Sequence, residues 1–122
     1  MRQLTEHIVN PANDRLTVSA LGEPSHGGAC HHYGIDVPGC EENAVDLRFQ
    51  NGPVSEDGNG VNGITHEALL AIVADRLRGF QSGQYKCKEN ACALTHIEEA
   101  MHWLQQRTIA RMRRGVEGTH TV

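Results

Sequence analysis

The chain has 122 residues, a net charge of −4 and only 4% aromatic residues, which bounds it to one modest domain with a light, aliphatic core. It has no apolar run near the roughly 20 residues needed to cross a bilayer, and the polar opening from Met1 to Asn10 lacks the marks of a signal peptide, so the expected compartment is the cytoplasm, with no membrane partner. Residues 1–63 carry three arginines against nine carboxylates, and residues 64–122 eight basic against six acidic groups, a balance that excludes duplex nucleic acid but allows a local pocket for a small anion.

Leu4 to Pro11 is too short to assign. Arg15 to Leu21 alternates, with Leu16, Val18 and Ala20 on one face and Thr17 and Ser19 on the other, and predicts a strand. Gly22 to Cys30 is a loop rich in Gly, Pro and Ser. His31 to Val37 predicts a second strand, closed by a Pro38-Gly39 turn. Ala44 to Gln50 predicts a third, with Val45, Leu47 and Phe49 alternating against Asp46 and Arg48. Short connections between consecutive strands imply an antiparallel meander. From Asn51 to Gly63 the chain is glycine-rich, without the pattern of a P-loop or a dinucleotide-binding turn. That stretch reads as a connector or as a lid.

Ile64 to Gly115 predicts two amphipathic helices. Thr65 suits an N-cap, and Glu67 in the first turn suits the helix dipole. Leu69, Ile72, Val73, Leu77 and Phe80 form the apolar stripe, and Gly83 is the expected stop. Gly79 inside the last turn costs about 1 kcal/mol relative to alanine. The second helix is expected to begin at Glu89 or Asn90 and to reach Arg114, with Gly115 as terminator. Its stripe is Leu94, Ile97, Met101, Leu104, Thr108 and Met112, a near-heptad spacing suited to shallow packing. A second seam lies beside it, through Ala93, His96, Ala100, Trp103, Arg107 and Ala110. One helix partner needs one stripe, so the second seam awaits either the N-terminal strands or another copy of the chain. The fold class is α+β: a small N-terminal antiparallel sheet, then a two-helix antiparallel hairpin. Its parts are 1–63 (sheet and glycine-rich loop), 64–115 (hairpin) and 116–122 (tail).

Arg107, Arg111 and Arg114 fall at i, i+4 and i+7 on one flank of the second helix, while Arg113 points elsewhere. Cations suit a helix C-terminus, so a solvated basic end is one reading. An anion site is the other, because a guanidinium fork matches phosphate bidentately. Phe80 and Asn90 flank the link between the helices. Phe80 offers a flat apolar surface or simply ends its stripe; Asn90 offers hydrogen bonds to a base edge or simply caps its helix. Asn90 and Arg107 are seventeen residues apart, roughly 25 Å along a helix. One small ligand cannot touch both ends in a single chain, whereas an antiparallel pair of chains would bring the tip of one hairpin to the arginine end of the other, twice by symmetry. Thr119 and His120 add polar contacts if the tail folds back.

Cys30, Cys40, Cys87 and Cys92 match no common zinc spacing, and reduced thiols are expected. His96 and His102 face different directions, and Glu98 with Glu99 reads as a solvated face. Without a nucleophile elbow, an H-E-x-x-H or a deaminase spacing, neither an enzyme nor a cofactor or metal is expected.

The runs FQNGPV, NGITHEALLAIVADRLRGFQSG and CKENACALTHIEEAMHWLQQRTIARMRRGVEGTH, with LTVSA and GGACHHY before them, resemble the phage anti-Thoeris sponges of the first described type. That family shares its helical hairpin with the phage anti-CBASS sponges. The resemblance implies a binding protein that sequesters cyclic ADP-ribose isomers made by TIR-domain immune proteins, without cleaving them, in the host bacterial cytoplasm. It implies dimers with two sites between chains, some of which assemble into hexamers that also hold cyclic trinucleotides. It further implies Phe80 stacking on the adenine, Asn90 bonding beside it, and Arg107 and Arg111 on the pyrophosphate. The resemblance breaks at Val54-Ser55-Glu56-Asp57, where relatives often carry a basic residue, so a further phosphate contact from that loop is not implied.

Overall fold

Alternating segments joined by short turns build the first half of the chain, and helical periodicity builds the second. A computed structural model describes residues 1–54, 60–115 and 119. The chain divides between Ile64 and Thr65 into a β unit and a helical unit.

The β unit is a four-stranded antiparallel meander in the order β1 (Arg2–Leu4), β2 (Thr17–Ala20), β3 (His32–Asp36) and β4 (Val45–Arg48). The three expected strands are present. The fourth, β1, has three residues, too few to show an alternation; its register is Arg2 opposite Ala20 and Leu4 opposite Val18. Before β2 comes the one-turn helix α1 (Pro11–Asp14), where Asn10 caps by accepting the Asn13 amide at 3.1 Å and proline takes the first turn. Ser19, expected on the polar face of its strand, is buried together with Ala20. Between β3 and β4, Asp46 receives a hydrogen bond from the His32 ring at 2.6 Å and one from Arg48 Nε at 3.0 Å. These contacts, the His32 bond first, hold its carboxyl below the usual value.

After β4 the chain turns back onto itself. Phe49 N donates to His31 O, Gln50 N to Ile64 O and Ile64 N to Arg48 O, at 2.7–2.9 Å. Gln50 then closes the neck of the glycine-rich loop: its amide nitrogen donates to Gly52 O and Gly60 O, and its oxygen accepts from Asn62 N. Asn62 completes the neck by exchanging two bonds of 2.8 Å with the Asn51 backbone. Gly63 is required here, because a Cβ would collide with the Phe49 carbonyl group.

The helical unit consists of α2 (His66–Gln81) and α3 (Lys88–Arg114), packed as a hairpin across a six-residue link. Thr65 caps α2 as expected, its hydroxyl accepting the Ala68 amide at 3.2 Å. The helix stops at Gln81, one residue earlier than Gly83 suggested, with Ser82 at the cap. Gln81 brackets the link by accepting from Cys87 N at 3.0 Å and donating to Cys87 O at 3.1 Å. Helix α3 begins at Lys88 rather than Glu89 or Asn90, because Cys87 is its cap: the sulfur accepts the Asn90 amide at 3.4 Å. Gly115 ends it in the left-handed region at φ 73°, as expected.

The face that α2 buries differs from the expected stripe. Leu69 and Leu77 of that stripe are half-buried, together with Leu70 and Gln81, and Ala74 between them is wholly buried. Ile72 is 65% exposed, and Val73 and Phe80 are also exposed. A small residue lets two helices approach closely, so the packing centres on Ala74 instead of on the bulkiest side chains. On α3 the inner row follows the expected Leu94, Ile97, Met101, Leu104 and Thr108, then passes to Arg111, while Met112 is exposed. The second seam from Ala93 to Ala110 is exposed, and none of the described residues covers it. No described helix is long and apolar enough to cross a membrane.

Candidate functional site

The hairpin presents the expected site residues at its two ends. At the link end, Phe80 closes the last full turn of α2. Its ring is 37% exposed and has two neighbours that the sequence reading passed over. Arg76, one turn earlier, lies with Cζ 5.0 Å from the ring centroid. The i, i+4 spacing of a cation and an aromatic residue was the signal that could have found it. Tyr85, in the link, meets Phe80 edge-on at 6.4 Å. Asn90 sits in the first turn of α3, half-buried at the start of the inner row, and is not the cap of its helix. Arg78 leans across the pair to bind Glu98 at 2.9 Å, so Glu98 is an ion-pair partner and not only a solvated carboxylate.

At the other end, the three arginines separate by environment. Arg107 and Arg114 are exposed. Arg111 is 7% exposed and donates from Nη2 to Thr119 O at 3.2 Å. Thr119 thus lies against the end of α3, where the sequence reading allowed it a polar contact. His120 lies outside the described residues, as do Ser55, Glu56 and Asp57 of the glycine-rich loop. Burying a guanidinium is expensive unless its N–H groups are satisfied, and the backbone carbonyl of Thr119 contributes to that.

The structure thus brings Phe80 and Asn90 to one end of the hairpin, and Arg107, Arg111, Arg114 and Thr119 to the other. About 25 Å of α3 separates them.

In the β unit a shallow cleft is lined by His31, His32, Arg48, Phe49, Asn51 and Asn62. Much of its polar capacity is already engaged within the unit: His31 on His26 O, His32 and Arg48 on Asp46, and Asn62 on the Asn51 backbone. Its chemistry is that of a braced sheet end.

Comparison with known proteins matches the second half of this architecture. The model of the Acb2/Tad1 hairpin domain matches residues 41–108, which takes in β4, the glycine-rich loop, α2 and most of α3. A curated relative, Thoeris anti-defense 1 of Bacillus phage SBSphiJ7, is 51% identical over 74 residues, covering 61% of this chain and 51% of the relative. The chain therefore spans about half the length of the relative it matches.

Proposed function

The chain belongs to the Acb2/Tad1 hairpin family, and from that premise we propose that it is a phage immune-evasion protein that sequesters the signal of bacterial Thoeris defence. The ligand is a cyclic ADP-ribose isomer made by TIR proteins, held and not cleaved. The observation that carries the reading is the two-ended hairpin. An aromatic and amide end suits a base, and an arginine end suits a pyrophosphate. The distance between them asks for a second chain.

Phe80 stacks on the adenine and Asn90 bonds at its edge. Arg107 and Arg111 of the partner hairpin meet the pyrophosphate; Arg111 does so while holding Thr119, and Arg114, Thr119 and His120 close the rim. The exposed seam through His96, Ala100, Trp103 and Ala110 supplies the surface on which two chains pair. Dimers carry two such sites, and dimers that assemble further into hexamers create additional sites for cyclic trinucleotides. A sponge has to work at low signal concentration, and nanomolar affinity corresponds to about −12 kcal/mol. A stacked base, a buried pyrophosphate and enclosure between chains are interactions able to reach it.

The test is a recovery assay. The protein is mixed with glycocyclic ADP-ribose, free ligand is filtered away, the protein is heat-denatured and the released molecule is analysed. Intact ligand appearing only on heating is the expected result. Converted ligand would make the protein an enzyme. Ligand that stays in the filtrate would remove this signal from the proposal and leave cyclic trinucleotides as the next ligand to try.

A further inference from the structure

The cluster at the link end contains more than Phe80. Arg76 is exposed and lies over the Phe80 ring, yet among the described residues it has no hydrogen bond and no ion pair. Arg78, two positions later, is bound to Glu98. The difference is informative. A guanidinium over a ring keeps its N–H donors at the periphery, and those of Arg76 face solvent. Tyr85 is 68% exposed and abuts the same ring at an interplanar angle of 80°. Two rings and an unpaired cation thus stand together at the hairpin tip. Exposed aromatic pairs gain little from water, and such a grouping suits a nucleobase: a flat surface to stack on, a neighbouring ring that fixes its rotation and a cation on the opposite face that tunes it.

We propose that Arg76 and Tyr85 are positioning and specificity residues for the base that stacks on Phe80. This rests on the reading of Phe80 as the stacking residue. Arg76 covers one face of the ring, and the base takes the other, giving a layered guanidinium–phenyl–purine stack. The cation draws electron density from the phenyl ring and so favours an electron-rich purine on the opposite face. Tyr85 fixes the ring's rotation through its edge contact. Both residues act through Phe80, so substitutions that keep their shape keep the function. Tyr85→Phe retains the edge, and Arg76→Lys retains a cation over the ring.

The experiment is a calorimetric titration of the full-length protein with glycocyclic ADP-ribose, run for wild type, Phe80→Ala, Arg76→Gln, Arg76→Lys, Tyr85→Ala and Tyr85→Phe, with a thermal unfolding curve for each. Arg76→Gln and Tyr85→Ala are expected to weaken binding by about tenfold each, the loss typical of one hot-spot contact. Tyr85→Phe is expected to match wild type, Arg76→Lys to recover most of the loss, and all unfolding midpoints to stay in place. If Phe80→Ala loses affinity while Arg76→Gln and Tyr85→Ala bind as wild type, this inference is overturned and the Phe80 site stands. If Phe80→Ala itself binds as wild type, or the wild type does not bind, the site reading fails and takes the inference with it. Lost affinity accompanied by a lowered midpoint, with no recovery in Arg76→Lys or Tyr85→Phe, would mean a structural role and would overturn the proposal.

Discussion

Arg107 and Arg111 are one helical turn apart and differ in what surrounds them. Arg107 stands on the exposed seam, and Arg111 occupies the last place of the inner row with its guanidinium on Thr119 O. Arg107→Ala is therefore expected to leave the thermal midpoint unchanged while weakening ligand binding tenfold or more, as Phe80→Ala does at the other end. Calorimetry and a melting curve on the same samples check both, and wild-type affinity in either variant would displace that residue from the site. Arg111→Ala is expected to do something different. It opens a gap at the helix end and removes the bond to Thr119 O, at a cost of about 1–3 kcal/mol. That lowers the midpoint by several degrees, roughly 4 °C per kcal/mol for a chain of this size. An unchanged midpoint would mean that Arg111 is not a packing residue.

At the scale of the elements, the helix ends were the most readable part of the sequence. Thr65 and Gly115 act through strong local chemistry that needs no tertiary partner: a hydroxyl for orphan amides, and a residue without Cβ for a left-handed turn. Gly115→Ala is expected to cost about 1 kcal/mol through its positive φ, read as a lower midpoint, whereas Gly79→Ala in the helix interior is expected to raise it by a similar amount. A midpoint unmoved by Gly115→Ala would mean that the turn is not held. Cys87 was not readable as a cap because cysteine is a weak acceptor seldom used there. The buried face of α2 was not readable because bulk points to Ile72 and Val73, whereas close approach selects Ala74. The place of Arg111 in the inner row was not readable for a related reason. A spacing near 3.5 residues places both Arg111 and Met112 within reach of the inner row, and hydropathy alone selects methionine. The arginine wins because the chain beyond Gly115 brings it a carbonyl. Among the candidate site residues, residue type was enough to single out Phe80 and the arginines. Arg76 and Tyr85 acquire their meaning only from packing against Phe80.

The molecule as a whole carries more exposed apolar surface than a small monomer needs. Ile72, Val73, Trp103, Ile109 and Met112 are all open on the helical unit, whereas no large apolar side chain among the described residues is fully buried. Exposed contiguous apolar surface marks an association face. Light scattering coupled to size exclusion is expected to give a mass above 13.4 kDa, in whole multiples. Trp103→Glu is expected to reduce that mass to the monomer and to abolish ligand binding with Phe80 and Arg107 still present. A monomeric variant that binds normally would place the complete pocket within one chain.

The neck formed by Gln50, Asn51 and Asn62 has a consequence for how this fold diversifies. Its side-chain bonds come from Gln50 and Asn62 and go to backbone groups at Asn51, Gly52, Gly60 and Asn62; Gly60 N also donates to Val54 O, and Pro53 is buried beside them. Replacing Glu56 and Asp57 with lysines is expected to leave the melting curve in place, whereas Gln50→Ala lowers it. Equal effects from the two would show the tip to be part of the scaffold. A clasp of this kind fixes the loop at its base through backbone groups, whose bonding stays the same whatever side chains those positions carry, so sequence there can diverge while the attachment is kept.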